Sequence, residues 1–178
     1  MINRFIYRLK QLWFALRAKM SYEDRVFVQQ NLNIKESALF FSLPGFEQKH
    51  GVNVAYKMAA EARNHPGIDL KKLIRLGLLH DIGKATVRLS IYDKALLVII
   101  HKILPPVYNI LAKLGESEKA RTIFRQFYVH KHHGVIGSKL LKKIGESDDI
   151  INEVASHDKP AESHDLYMKI LDQADSTY

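Results

Sequence analysis

Apolar residues along most of the chain recur at spacings of three and four, which is the pattern of amphipathic helices. No segment shows sustained alternation of apolar and polar residues, so the pattern requires no β-strand. Residues 91–114 are apolar but carry Pro105-Pro106 in the middle, which predicts two helices with a break. We therefore expect an all-α fold, with Asp69 as an N-cap and further helices over residues 22–31, 35–41, 47–64, 70–83, 116–128, 132–144, 148–157 and 163–174.

The first twenty residues carry a pattern of their own. Apolar residues at positions 2, 5, 6, 9, 12, 13, 16 and 20 predict an amphipathic helix whose other side is basic. We assign residues 1–44 to an N-terminal helical appendage and residues 45–178 to the main domain, because Pro44-Gly45 interrupts the helical pattern. The apolar stripe has three interpretations: it packs on the domain, it attaches to a membrane surface through Trp13 and Phe14, or it contacts a partner protein.

The composition is that of one globular domain, with 178 residues of which 47% are hydrophobic and 26% are charged. The chain has no cysteine, which excludes disulfides, thiolate nucleophiles and sulfur-ligated metals. The net charge is +8, but five of the 27 basic residues lie in the first twenty, so the charge is weak evidence for a nucleic-acid surface. No apolar run reaches the roughly 20 residues of a bilayer span, and we expect a cytoplasmic protein, with peripheral membrane contact through residues 1–20 left open.

The segment with the clearest chemical content ends an apolar helix and reads Leu78-Leu79-His80-Asp81-Ile82-Gly83-Lys84. An ionised carboxylate in apolar surroundings costs several kcal/mol unless it has a partner, so Asp81 needs a cation. His80 offers a neutral nitrogen ligand beside it. The alternative is that Asp81 only ends the helix and that His80 lies at its rim.

Four further residues offer nitrogen or oxygen ligands at places where helices of the same core could bring them together. His50 lies in the preceding predicted helix, and His133 begins a later one. His157 ends the helix after that, and Asp175 lies beside small and apolar residues. Any metal that these residues hold must be bound through nitrogen and oxygen, because the chain has no cysteine.

Taken in this order, the residues resemble the ligands of the HD-domain metal-dependent phosphohydrolases, over residues 50–178. His50 resembles the first histidine of that family, His80-Asp81 its namesake pair, and Asp175 its closing aspartate. Gly83 and Lys84 complete the frequent His-Asp-x-Gly-Lys form. The resemblance implies a helical HD-domain bundle in which these two histidines and two aspartates hold one metal ion.

Two more histidines extend the resemblance. His133 and His157 are similar to the additional histidines of the binuclear members, in which Asp81 would bridge both ions. The resemblance therefore implies two divalent transition metal ions, with iron or manganese favoured and nickel, cobalt or zinc as alternatives. The chain lacks the Gly-Tyr-Pro signature of the cyclic-di-GMP phosphodiesterase branch, so that substrate is not expected.

The activity implied by the resemblance is cleavage of a phosphoester or phosphoanhydride bond in a nucleotide-like substrate by metal-activated water. Asp81 and Lys84 are the expected catalytic residues. Lys84 could reach a phosphate oxygen and Arg88 could clamp a second phosphate. Lys84 and Arg88 could each also be a solvated surface residue. The alternative is a regulatory module that binds metal or nucleotide without turnover. The expected partner is a small phosphorylated substrate rather than a sequence-specific nucleic acid, and the oligomeric state is not predicted.

Three nearby residues have open roles. His130 shares a helix side with His133 and could act as a general acid or remain a satisfied histidine. Tyr92 and Tyr108 lie in the apolar segment 91–114 and could stack on a base or belong to the core.

Overall fold

The computed structural model describes residues 19–157 and 165–177, and these residues fold as the all-α bundle that the sequence predicts. They contain nine α-helices and no strand, and none of these helices is long and apolar enough to cross a membrane. The helices are α1 (Tyr22–Asn31), α2 (Ile34–Phe41), α3 (Gly45–Glu61), α4 (Leu70–Leu79), α5 (Ile91–Ile103), α6 (Pro105–Leu114), α7 (Thr122–Ile144), α8 (Asp148–Ser156) and α9 (Leu166–Asp175). Two short 3-10 helices, Ala62–Asn64 and Ile82–Thr86, follow α3 and α4. The predicted N-terminal helix covers residues 1–20. Residues 1–18 lie outside the described ranges, and only its last two positions lie within them.

Short polar residues fix where several helices begin. Capping boxes start α1, α2 and α5, at Ser21, Asn33 and Ser90. Asp69 caps α4 as predicted, because its side chain accepts a hydrogen bond from a backbone N–H of the first turn. The predicted break in the segment 91–114 is also confirmed, since Pro105 begins α6, where a missing N–H costs no helical hydrogen bond.

The main hydrophobic core is built around α3 and α4, which pack against one another. Helices α1, α2, α8 and α9 pack around this pair. Val28 of α1 and Phe40 of α2 are fully buried in the same core as Leu73 of α4 and Leu171 of α9. Helices α1 and α2 thus contribute to the same core as residues after 44. The division into residues 1–44 and 45–178 stays a prediction.

A second, smaller core lies under the hairpin formed by α5 and α6. Leu97, Tyr108 and Ala112 are buried there against Phe127 of α7. Tyr108 is therefore a core residue rather than a surface on which a base could stack, whereas Tyr92 is 74% exposed.

The structure differs from the predicted helix boundaries at α7 and at the end of α4. The sequence predicts separate helices over 116–128 and 132–144, whereas the structure has one helix, α7, from Thr122 to Ile144. Its backbone is non-helical at His132 (φ −123°, ψ 19°), which is where the second helix is predicted to begin. Helix α4 ends at Leu79 rather than at Gly83, because the chain turns there into the 3-10 helix that packs on α7. This turn places the His80-Asp81 pair beside the middle of α7.

Candidate metal centre

The six residues singled out in the sequence lie together where α3, α4, α7, α8 and α9 meet. Their ligand atoms form two groups, in each of which all atoms lie within 4.8 Å of one another: His50 with His80 and Asp175, and Asp81 with His133 and His157. The residues come from α3, from the end of α4, from α7 and from the last turns of α8 and α9. The grouping fits two neighbouring metal ions, and the ligand assignment itself remains a prediction.

Asp81 lies between the two groups and presents one carboxylate oxygen to each. Its Oδ2 is 3.4 Å from Nε2 of His80 and 3.7 Å from Nε2 of His50. Its Oδ1 is 2.9 Å from Nε2 of His133 and 3.9 Å from Nε2 of His157. A carboxylate in this position can serve two cations at once.

Backbone carbonyl groups fix the orientation of three of the four imidazole rings. Nδ1 of His80 donates to the Gly77 carbonyl at 2.9 Å, and Nδ1 of His133 donates to the His130 carbonyl at 2.8 Å. Nδ1 of His157 donates to the carbonyl of Val154 at 2.8 Å. These bonds place the proton of each neutral ring on Nδ1, so Nε2 carries a lone pair directed into the centre, as in histidines that bind metals.

Three Nε2 atoms face the centre in a way that calls for a cation. Those of His133 and His157 lie 2.9 Å apart. With both rings neutral, two lone pairs would face each other at this distance and repel unless a proton or a metal ion lies against them. Nε2 of His80 is buried and forms no hydrogen bond with any described residue. Nitrogen and oxygen donors of this kind suit a divalent transition metal.

The charges of the centre are strongly coupled. Burial alone would lower the pKa of His80, but the carboxylates of Asp81 and Asp175 outweigh it and raise this pKa to about 9. Burial alone would raise the pKa of Asp81, but the positive charge of Lys84 and the adjacent rings of His80 and His133 hold it well below its usual value. The counter-charge nearest to Asp81 is the ammonium group of Lys84, and a metal ion would bind His80 in its neutral form.

A buried chain of alternating charges leads from the centre to α5. Nζ of Lys84 lies 2.5 Å from Oδ2 of Asp81 and 3.6 Å from Oε2 of Glu47. Nζ of Lys94 lies 2.7 Å from Oε1 of Glu47. Lys84 is only 6% exposed, so it is not the solvated lysine that was one of its two sequence interpretations. Burial would raise the pKa of Glu47, but Lys84 and Lys94 lower it to about 2.

Sequence reasoning missed Glu47 and Lys94. The available signal was the position of Glu47 three residues before His50, which places both on one face of α3. The contact from Lys94 joins residues 47 positions apart, and nothing in the local pattern of α5 indicates it.

Removal of the Glu47 charge tests this chain of charges. Glu47→Gln should lower the free energy of unfolding of the metal-free protein at pH 7 by about 3 kcal/mol, because Lys84 and Lys94 lose a buried counter-charge. The pKa of Glu47 falls from its ordinary value of 4.5 to about 2 on folding, so its ionised form stabilises the wild type above about pH 4.5. That contribution disappears as the pH falls towards 2, so the difference between wild type and variant should shrink there.

Urea denaturation at pH 7 and pH 3 measures both effects. Glu118→Gln, which changes an exposed carboxylate, is the matched control and should leave the unfolding curve unchanged. A Glu47→Gln variant as stable as the wild type at pH 7 would contradict the role of Glu47 as the shared counter-charge.

The two other residues with a predicted or open role are placed differently. The Arg88 side chain is exposed just after the second 3-10 helix, and its carbonyl accepts a 2.8 Å hydrogen bond from Nε2 of Gln126. Its contact with a substrate phosphate stays a prediction. His130 has Nδ1 2.6 Å from the Tyr108 hydroxyl, and burial together with the charges of Lys94 and Lys84 lowers its pKa to about 2. A neutral, hydrogen-bonded imidazole favours the interpretation of His130 as a satisfied histidine over that of a general acid.

The centre is more open on the side of α3 and α9. The side chain of Asp175 is 44% exposed and that of His50 is 22% exposed, whereas those of His80 and Asp81 are buried. Among the described residues, Asp175 and His50 are therefore the more accessible members of the centre.

Comparison with known proteins places these residues in a family. The profile of the HD domain matches residues 49–178. Ribonuclease Y of Lawsonia intracellularis is 28% identical over 129 residues, and Ribonuclease Y of Oleidesulfovibrio alaskensis is 31% identical over 119 residues. These matches cover 71% and 67% of the chain but only 16% and 15% of the two relatives. No solved structure matches the chain significantly. Because the HD profile covers most of the chain and all six clustered residues, the chain belongs to the HD domain family, a superfamily of metal-dependent phosphohydrolases.

Proposed function

We propose that this chain is a phosphohydrolase that uses two divalent metal ions to cleave a phosphoester or phosphoanhydride bond in a nucleotide-like substrate. The observation that carries the proposal is the position of Asp81, which presents one oxygen to each of two groups of nitrogen and oxygen ligands. His50, His80 and Asp175 would hold one ion, His133 and His157 the other, and Asp81 both. Iron or manganese is favoured by this donor set, and nickel, cobalt or zinc would also fit.

When bound, such ions would supply an activated water and stabilise the oxygens around phosphorus. The chain itself positions the ligands. Lys84 holds Oδ2 of Asp81 at 2.5 Å and is in turn held by Glu47, so the carboxylate cannot rotate away from the two histidine groups. Burial of Asp81 and His80 excludes bulk water from the inner side of the centre, which strengthens the electrostatic interactions there.

Lys84 is therefore proposed to act in catalysis by orienting Asp81, in addition to its predicted contact with a phosphate. Lys84→Met removes the charge and keeps most of the packed stem. It should retain the bound metal and lower kcat by about 10²-fold, the usual effect of losing one preorganised electrostatic contact. Metal analysis and steady-state kinetics on the same sample measure both quantities.

Lys139→Met, on the exposed side of α7, is the matched control and should change neither quantity. A Lys84→Met variant with wild-type kcat would remove Lys84 from the mechanism, and one without metal would assign it to metal retention alone.

The nature of the substrate is a separate part of the proposal. A small phosphorylated nucleotide is the expected substrate, with Lys84 and Arg88 as the proposed contacts to phosphate and no motif that reads a base. RNA is a second candidate, because the two similar proteins named above are ribonucleases by name. RNA cleavage without sequence recognition would use the same centre on a phosphodiester.

The test is a hydrolysis screen on chelator-treated protein reloaded anaerobically with iron or manganese. Mononucleotides, dinucleotides, cyclic nucleotides and a short RNA are offered in parallel, and the metal content is measured on the same sample. We expect hydrolysis only after reloading, and His65→Ala, which changes a histidine outside the centre, should behave as the wild type. Full activity without metal would refute the proposal. Tight metal binding with no hydrolysis of any compound would favour the alternative, a regulatory module.

A further inference from the structure

The hairpin of α5 and α6 exposes an apolar outer face although its inner face is already buried. Leu97, Tyr108 and Ala112 line the inner face against α7. The outer face is formed by six side chains that are each 41–61% exposed: Leu96, Ile103, Leu104, Val107, Ile110 and Leu114. Those of α5 are seven residues apart, and those of α6 are three and four apart, so each set lies on one side of its helix. We call these six residues the outer face.

The apolar character is greatest at the corner of the hairpin. Residues 103–107, Ile-Leu-Pro-Pro-Val, are all exposed and form five consecutive apolar residues between the two helices. A monomeric protein rarely exposes a contiguous patch of this kind unless something binds to it. The corner is the turn between α5 and α6, of which α6 packs on α7 and α5 packs on α6.

The charged residues within 94–115 are all basic, whereas Asp93 and Glu116 flank this segment. From Lys94 to Gly115 the chain contains no aspartate and no glutamate. Lys102 and Lys113 are exposed next to Ile103 and Leu114, at the border of the outer face. A second copy of this chain would bring these lysines towards each other, which disfavours self-association, whereas an anionic surface would complement them.

We propose that the outer face of the α5–α6 hairpin docks on an anionic lipid membrane. The corner residues 103–107 enter the boundary between headgroups and acyl chains, and Lys102 and Lys113 lie at the lipid phosphates. Helix α5 has 13 residues, or about 20 Å at 1.5 Å per residue, so the hairpin lies in the interface and does not span the bilayer. The proposal is independent of the hydrolase function and of the membrane contact considered for residues 1–20.

Vesicle flotation with the full chain tests the proposal. Vesicles of phosphatidylcholine with about one third phosphatidylglycerol should bind the protein, and vesicles of phosphatidylcholine alone should bind it more weakly. Leu104→Gln with Ile110→Gln should reduce binding to the anionic vesicles about 100-fold, because burial of each side chain contributes more than a factor of ten. Lys102→Gln with Lys113→Gln should reduce binding about 30-fold and remove the preference for anionic lipid.

Ile34→Gln is the matched control, since Ile34 is 89% exposed on α2 and lies outside the outer face. It should bind vesicles as the wild type does, and all variants should keep the wild-type circular dichroism and metal content. Absence of binding by the wild type would overturn the proposal. Unchanged binding by the Leu104→Gln/Ile110→Gln variant would also overturn it and would assign membrane contact to another segment. A dimer in sedimentation that this double variant abolishes, without vesicle binding, would identify a second copy as the occupant instead.

Discussion

Replacement of Asp81 by alanine is expected to remove metal from both groups of ligands and to lower hydrolysis by about 10³-fold or more, since metal ions contribute several kcal/mol of transition-state stabilisation. The reason is geometric. Oδ2 of Asp81 faces His50 and His80, and Oδ1 faces His133 and His157, so no other residue of the centre serves both groups. Metal content by mass spectrometry and hydrolysis of the substrate found in the screen are the two measurements.

Single-histidine variants make this expectation specific to two ions. His157→Ala removes a ligand from one group only, and His50→Ala removes a ligand from the other group only. Each should lose about half of the bound metal, whereas Asp81→Ala loses nearly all of it. Asp149→Ala, which removes a 79% exposed carboxylate of α8, is the control and should keep both ions. Equal and complete loss in all three centre variants would instead indicate one shared ion.

A large loss of stability is expected from Gly83→Ala. A Cβ atom at Gly83 would overlap the carbonyl oxygen of His133 and would lie 2.8 Å from the backbone nitrogen of Gly137. Both are backbone atoms of α7, so neither can move as a side chain could. The substitution should lower the free energy of unfolding by about 3 kcal/mol, the upper part of the range for an overpacked core. This corresponds to a Tm lower by about 6–12 °C for a chain of this size.

Thermal unfolding followed by circular dichroism checks this expectation, with Gly45→Ala as the control. Gly45 begins α3 and a Cβ atom there would have no neighbour within 4 Å. Alanine also favours helix over glycine, so the control should be neutral or slightly stabilising. If Gly83→Ala unfolds at the wild-type temperature, the backbone at Gly83 does not pack tightly against the backbone of α7. Gly83→Ala should also bind metal more weakly, because it displaces the backbone of His133.

The local signals of the sequence were sufficient for most of the fold. Asp69 and Pro105 mark helix starts through rules that depend on one turn of chain, and both lie where these rules place them. The sequence predicts one helix that ends at residue 128 and another that begins at residue 132, and the structure has a kink at His132 within one helix. Packing of α7 against the 3-10 helix and α8 keeps the helix continuous there.

The candidate site was only partly predictable, for a physical reason. The six clustered residues were identified through their order along the chain and its resemblance to a known family, and of the six only His80, Asp81 and Asp175 lie beside apolar residues. Glu47 and Lys94 lie in segments where charged residues are ordinary, and their significance comes from burial and from a contact between α3 and α5. The burial of Lys84 likewise depends on packing between distant segments, since its partner Glu47 comes from α3.

The wide separation of the clustered residues along the chain has a consequence for the life of the protein in the cell. The residues span positions 50 to 175 and belong to helices that otherwise contact each other mainly through apolar side chains. An ion bound by them would act as a cross-link between distant parts of the polypeptide, and a ligand present at 100 times its dissociation constant stabilises the folded state by about 2.7 kcal/mol. Starvation for the metal would then expose the chain to proteases, so that metal supply would control its abundance.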